Sequence, residues 1–236
     1  MRIVKNKKGQ FIIIAVMMIA LMIVSIGAIM YSAGTYYRYE QWEEYIILVE
    51  HVKLSTIRLV QISLANYTAS ANNSTLKDNL DQWQNDLKKA YPGYGVILTY
   101  DLADGTNISY SQGLASYWNE TVSYSAANAT FTLNIASVGL EGYEFMATAF
   151  LSLAILNVTT STNEITVAVT GEDGMPITDL RKDNFHVDGL NITSVTSGYD
   201  PDYTLFYTIK CENLPSSSAT VRVWDHRGIQ VIAKNP

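Results

Sequence analysis

Twenty consecutive residues, Phe11 to Met30, carry no charge, and Ser25 is the one hydroxyl among them. A helix rises about 1.5 Å per residue, so this run reaches roughly 30 Å, the thickness of the hydrocarbon core of a bilayer. Nothing else in the chain constrains the fold as strongly, because a helix apolar on every side has no polar face to give to water. A cleavable secretory signal has a shorter apolar region of about 7–15 residues, followed by a small-x-small site. The nearest match here is Ser32-Ala33-Gly34, so the reading is a retained spanning helix. Arg2, Lys5, Lys7 and Lys8 all precede the run, which predicts a cytoplasmic N-terminus and an outward-facing remainder under the positive-inside bias.

The charge balance agrees with an exported domain. The chain has 16 basic and 22 acidic residues, net −6, and four of the basic ones lie before the apolar run. An acidic ectodomain without a basic stripe is a poor match for nucleic acid, so none is expected as a partner. With Cys211 as the single cysteine there is no intrachain disulfide, and beside Ile209 it reads as a small apolar filler. Asn-x-Ser/Thr acceptors stand at Asn66, Asn72, Asn73, Asn107, Asn119, Asn128, Asn157 and Asn191. Composition alone would give about three, and every one lies beyond the apolar run, which favours an N-glycosylated surface protein. Adjacent Asn72 and Asn73 are not expected to be modified together. The competing reading is that Asn, Ser and Thr are simply abundant on polar β-rich surfaces.

Directly before the apolar run stands Lys7-Lys8-Gly9-Gln10-Phe11. This stretch resembles the class III signal peptides of type IV pilin-like proteins, and the glutamine and uninterrupted aliphatics look most like archaeal members. The resemblance implies a leader of residues 1–9, cut after Gly9 by a prepilin-type peptidase that reads Lys7 and Lys8, with Gln10 as the first mature residue. Glycine suits such a site because it takes up extended backbone without a side chain to clash. The helix is then kept, and Phe11, Ile12, Ile13, Ile14, Val16, Ile19, Ile23 and Ile26 serve first as a membrane segment and then as the filament core. Bacterial pilins usually carry glutamate at the fifth mature position, where this chain has Ile14, a departure that fits archaeal members better. The partners implied are other pilin-like subunits in a homo- or hetero-oligomer, the membrane before assembly, the peptidase, and surface glycans as adhesive targets. The location implied is the cell membrane and an extracellular filament. The alternative is a permanent single-pass anchor carrying a glycosylated binding module.

Past Met30 the helical pattern continues. Tyr31, Tyr36, Tyr37, Tyr39 and Trp42 form an aromatic belt suited to a membrane boundary or to packing on a head domain. Ile46, Val49, Ile57, Val60 and Leu64 recur at helical spacing among charges, which predicts one helix over 10–65, its membrane half at 11–30, with Gly34 as a site for a kink. Leu76, Leu80, Trp83 and Leu87 predict a second helix lying across the first, capped by Asn73 or Ser74 and stopped by Pro92-Gly93.

From Tyr94 the period changes to two. A hairpin is expected about Ala103-Asp104-Gly105, then strands over residues 128–139 and 145–159, completing an α/β pilin-like head at 66–158. A Thr-rich stretch, Thr159 to Asn163, reads as a linker or long loop. Residues 159–236 resemble immunoglobulin-like modules of prokaryotic surface proteins. That likeness implies a β-sandwich with a turn at Glu172-Asp173-Gly174 and Pro176, core residues Leu180 and Phe185, and a hairpin about Asp225 to Gly228. The fold class expected is α+β: a long apolar helix, a second amphipathic helix, an antiparallel head and a C-terminal sandwich.

No chemistry is expected. His51, His186 and His226 fall on a helix, a strand and a turn without ligand spacing, and neither a Gly-x-Ser-x-Gly nucleophile turn nor a phosphate loop occurs. No catalytic residue, metal or cofactor is therefore assigned. Asp101-Asp104, Glu172-Asp173 and Asp200-Pro201-Asp202 read as turn formers, with calcium as the alternative.

Overall fold

A computed structural model describes residues 7–104, 108–201, 204–215 and 218–235, with the side chains of 7–14 and 33–44 outside the described set. The chain divides into two compact units, Met1–Val52 and Lys53–Pro236. The architecture is α+β. Helix α1 runs over Lys7–Ser70, and its assignment is unbroken through Gly34. It outlasts the expected end at residue 65, with Thr68 buried in the added turn. Thr68 donates to Ala65 O at 2.8 Å and Ser70 to Asn66 O at 2.8 Å, and Ala71 then closes the helix at φ 57°.

Within the second unit, the last turns of α1 bury Thr56, Val60, Ser63, Leu64 and Thr68. Helix α2, Thr75–Ala90, buries Leu76, Leu80 and Leu87, the apolar positions its spacing predicts. Trp83 Nε1 donates to Thr56 Oγ1 at 3.0 Å and Asn79 Nδ2 to Ser63 Oγ at 2.9 Å, so α2 doubles back along α1. Its start differs from the expected cap. Ser74 occupies the cap position without a side-chain bond to the helix backbone, and its hydroxyl instead reaches Asp78 Oδ2 at 2.6 Å. The end is as read: the helix stops at Ala90, before Pro92.

Among the described residues ten strands follow: β1 (Val96–Leu102), β2 (Leu114–Tyr117), β3 (Val122–Ile135), β4 (Leu140–Thr159), β5 (Glu164–Thr170), β6 (Phe185–Val187), β7 (Ile192–Tyr199), β8 (Leu205–Cys211), β9 (Ala219–Trp224) and β10 (Gln230–Asn235). A seven-stranded antiparallel sheet has the order β1-β3-β4-β5-β8-β7 with β2 also beside β3, and a three-stranded sheet has the order β10-β9-β6.

Among the described residues, nothing pairs back onto β1 across the hairpin expected about Ala103-Asp104-Gly105. Strand β1 pairs instead with β3, from Val96↔Ile135 to Leu102↔Ala129, and Ile108–Tyr110 lie outside any strand. Asp-Gly is a strong local turn signal, yet a 14-residue neighbour lets β1 pair over its full length and bury Val96 and Leu98. Gly105 itself lies outside the described residues. Thr160 to Asn163 form the turn of the β4–β5 hairpin, closed by Thr159↔Glu164, so one sheet runs continuously through the stretch where residues 66–158 meet 159–236.

Alternation places Ile165, Val167 and Val169 of β5 in the core with Leu151, Leu153, Tyr207 and Ile209, while Val221, Val223, Val231 and Ala233 come from the smaller sheet. Phe131 stacks on Phe145 at 5.2 Å, and Phe185 of β6 meets Tyr207 of β8 at 5.4 Å. Leu180 and Phe185 are buried as expected, and the turns at Glu172–Gly174 and Asp225–Gly228 both form. Tyr207 fastens the intervening loop by donating to Ile177 O at 2.6 Å and accepting Leu180 N–H at 3.4 Å. Cys211 is buried, and burial pushes its thiol above the usual range.

Candidate functional site

The residues that most demand a partner are those of α1 between Ala15 and Ser32. This stretch of 18 has a mean hydropathy of 2.2, and none of it is buried. Ile19, Leu21, Ile23, Val24, Ile26 and Ile29 each expose more than half their surface. Exposed apolar area costs about 25 cal/mol per Å² relative to an apolar environment, so a continuous collar of this kind is unstable in water. The hydroxyl inside the apolar run is already satisfied, since Ser25 Oγ donates to Leu21 O at 2.8 Å within the helix. The helical backbone and Ser25 are thus internally paired, which is what a hydrocarbon medium requires. By length and composition the segment is able to cross a membrane, and a membrane anchor and a signal sequence both meet that description.

The backbone of Lys7, Lys8, Gly9 and Gln10 lies in α1 together with Phe11, Ile12, Ile13 and Ile14, while their side chains lie outside the described residues. Val16, Ile19, Ile23 and Ile26 are all exposed on the helix. Tyr31 is 77% exposed at the end of the run, and the side chains of Tyr36, Tyr37, Tyr39 and Trp42 are outside the described set.

Six glycosylation acceptors are exposed: Asn66 on α1, Asn72 and Asn73 between the helices, Asn119 before β3, Asn157 at a bulge in β4 and Asn191 before β7. Asn128 sits differently. It is half-buried in the middle of β3, its N–H bonded to Gly113 O and its C=O to Ala103 N–H. Asn107 lies outside the described residues.

Among the described residues, no group of three or more His, Cys, Asp or Glu converges as a metal site. His51, His186 and His226 occupy a helix, a strand and a turn. Asp200 uses its carboxylate on Thr204 N–H at 2.7 Å, the turn-forming role read from sequence, and Asp202 is outside the described set.

Sequence reasoning missed an ionic clasp. Arg227, in the turn between β9 and β10, donates Nε to Asp225 Oδ2 at 2.6 Å, Nη1 to Glu172 Oε1, and Nη2 to Phe150 O at 3.1 Å. Glu172 Oε1 also accepts Phe150 N–H at 2.9 Å. Asp225 is fully buried and takes the N–H groups of Arg227 and Ile229. The clasp therefore ties the smaller sheet to β4, and at Phe150 two side chains replace the backbone partners of a missing strand. A faint signal existed in Asp225-His226-Arg227-Gly228, where an arginine sits inside a tight turn, but its partners are 55 and 77 residues away.

Burial works to raise the Glu172 carboxyl, yet hydrogen bonds from Arg227 and Phe150 N–H outweigh it and hold the group below its ordinary value of 4.5. A carboxylate lowered in the folded state adds stability above its unfolded pKa, and that contribution disappears as pH falls through the folded value. Thermal melts should thus show wild type above Glu172→Gln by a constant margin at neutral pH, with the gap closing below pH 4.5. A margin independent of pH would show that the carboxylate charge contributes nothing.

Searches against protein-family models, characterised proteins and solved structures found no match to this chain.

Proposed function

We propose that this chain is a pilin-like surface protein of the archaeal type: a structural, non-enzymatic subunit of a type IV pilus-like filament, assembled through its retained N-terminal helix. One observation carries the reading: Ala15–Ser32 is apolar on every side, none of it is buried, and Ser25 in its middle is satisfied within the helix. Lipid and a bundle of identical helices reward that surface equally, so a subunit stored in the membrane can pass into a filament without changing sequence. The N-terminal basic residues stay cytoplasmic in this scheme and the second unit faces outward, where its exposed acceptor asparagines carry glycans. Residues 159–236 are read as an immunoglobulin-like sandwich. Two sheets whose inner residues meet at Phe185 and Tyr207 support that reading, and layer packing favours it. A head of this size suits a minor or tip subunit that contacts surface glycans.

A second reading, a permanent single-pass anchor, is favoured by Tyr31, an exposed ring with a polar tip where the apolar run ends. N-terminal sequencing of protein isolated from cells separates the two. The filament reading expects a chain beginning at Gln10. An intact Met1 selects the permanent anchor, and a soluble chain starting beyond Tyr31 overturns both.

A further inference from the structure

Strand β4 is longer than its neighbour on one side. It pairs with β3 from Leu140 to Ala154, but β5 covers it from Ser152 onward, and among the described residues no strand pairs with the far edge of Leu140 to Leu151. The direction of its backbone groups follows from two observations. Phe150 turns its N–H and C=O to Glu172 and Arg227, away from β3. Asn128, opposite Thr148 on β3, turns both of its own groups away from β4. Even-numbered residues of β4 thus aim N–H and C=O off the sheet edge, and the clasp satisfies that of Phe150. Glu144, Met146 and Thr148 are the next three rungs. Protection is thin here: Glu144 is the one charge, there is no proline, lysine or bulge between Glu144 and Thr148, and Met146 is 60% exposed.

We infer that this edge pairs with the same edge of a second copy, antiparallel about a two-fold axis at Met146. The register follows from size and charge. With Met146 opposite Met146 of the other copy, all three rungs are used, Glu144 faces a threonine, and Phe145 faces Ala147, so on either side of the central methionine pair a large side chain meets a smaller one. Centring on Glu144 would oppose two carboxylates, which is unfavourable across strands. An isologous contact requires this kind of self-complementarity. The inference goes beyond the proposed role of α1 and holds whether that helix ends in lipid or in a bundle.

The test uses the full chain in a mild detergent. Opposed residues in such a pair have Cα atoms about 5.5 Å apart, inside disulfide range. Under mild oxidation Met146→Cys should form a disulfide-linked dimer on the order of tenfold faster than Met175→Cys, an exposed control at 67%. Adding Thr148→Glu, which opposes Glu144 twice, should slow cross-linking roughly fivefold, whereas Thr148→Lys should not. Both variants alter the exposed face of one strand, and matched melting curves verify the fold. Equal rates at the two cysteines overturn the proposal, as does an equal response to the two charges. Should neither Thr148 variant fold, the comparison of Met146→Cys with Met175→Cys still decides. On intact cells, a Met146→Cys thiol trapped on another protein without homodimer overturns the second-copy assignment.

Discussion

Arg227→Ala is expected to destabilise the second unit by about 3–5 kcal/mol, the usual cost of removing one member of a buried ion pair. The guanidinium is 12% exposed and serves three acceptors at once: Asp225, Glu172 and the carbonyl of Phe150. Its loss strands a fully buried carboxylate and a strand carbonyl together, and the unpaired charge, more than the lost attraction, dominates. In a chain of this size the melting temperature should fall by roughly 10 °C or more. Arg227→Lys keeps the charge but lacks the planar fork, so it should fall between wild type and alanine. Asp225→Asn in the Arg227→Ala background should recover part of the loss, because it removes the charge that was left uncompensated. Differential scanning calorimetry on the three variants checks the order. A drop under about 2 °C for Arg227→Ala would mean that the clasp contributes little.

The second large effect concerns α1. Ile23 is 66% exposed near the middle of the apolar segment. Lysine there should disfavour membrane insertion by about 2.5–3.5 kcal/mol, shifting the insertion equilibrium on the order of a hundredfold and lowering the membrane-integrated fraction accordingly. The side chain is exposed and lies outside the second unit, so the melting of that unit should be unchanged, which separates failed insertion from failed folding. Ile62→Lys, at a position 54% exposed on the same helix but within the second unit, is the control and should leave membrane association intact. Equal membrane fractions for Ile23→Lys and wild type would remove the apolar segment from any anchoring or assembly role.

Local pattern exposed some elements and hid others for definite reasons. The four apolar positions of α2 placed that helix almost to the residue, because their spacing has only one helical face to fill. On α1 the stripe read from Ile46, Val49, Ile57, Val60 and Leu64 captured Val60 and Leu64, which are buried, but Ile46 is exposed, and it overlooked Leu48, Val52, Thr56, Ser63 and Thr68. Hydroxyls look solvent-bound in a sequence. Here they are buried because Trp83, Asn79 and Gln230, the last 162 residues away, supply donors to them.

The amino-acid order by itself determined the apolar span, the two helices, the change to a period of two and the turns at Glu172–Gly174 and Asp225–Gly228. Each of these depends on interactions within a few residues, so composition and spacing suffice to specify it. Tertiary structure alone decided that β1 joins β3 rather than a neighbour across Asp104-Gly105, that one sheet continues past Thr159, that Arg227 closes over Phe150, and that among the described residues no strand covers the edge of β4 before Ser152. Strand partners are chosen by which long-range pairing buries most apolar surface and satisfies most backbone groups, a comparison among distant segments that no short stretch of sequence contains.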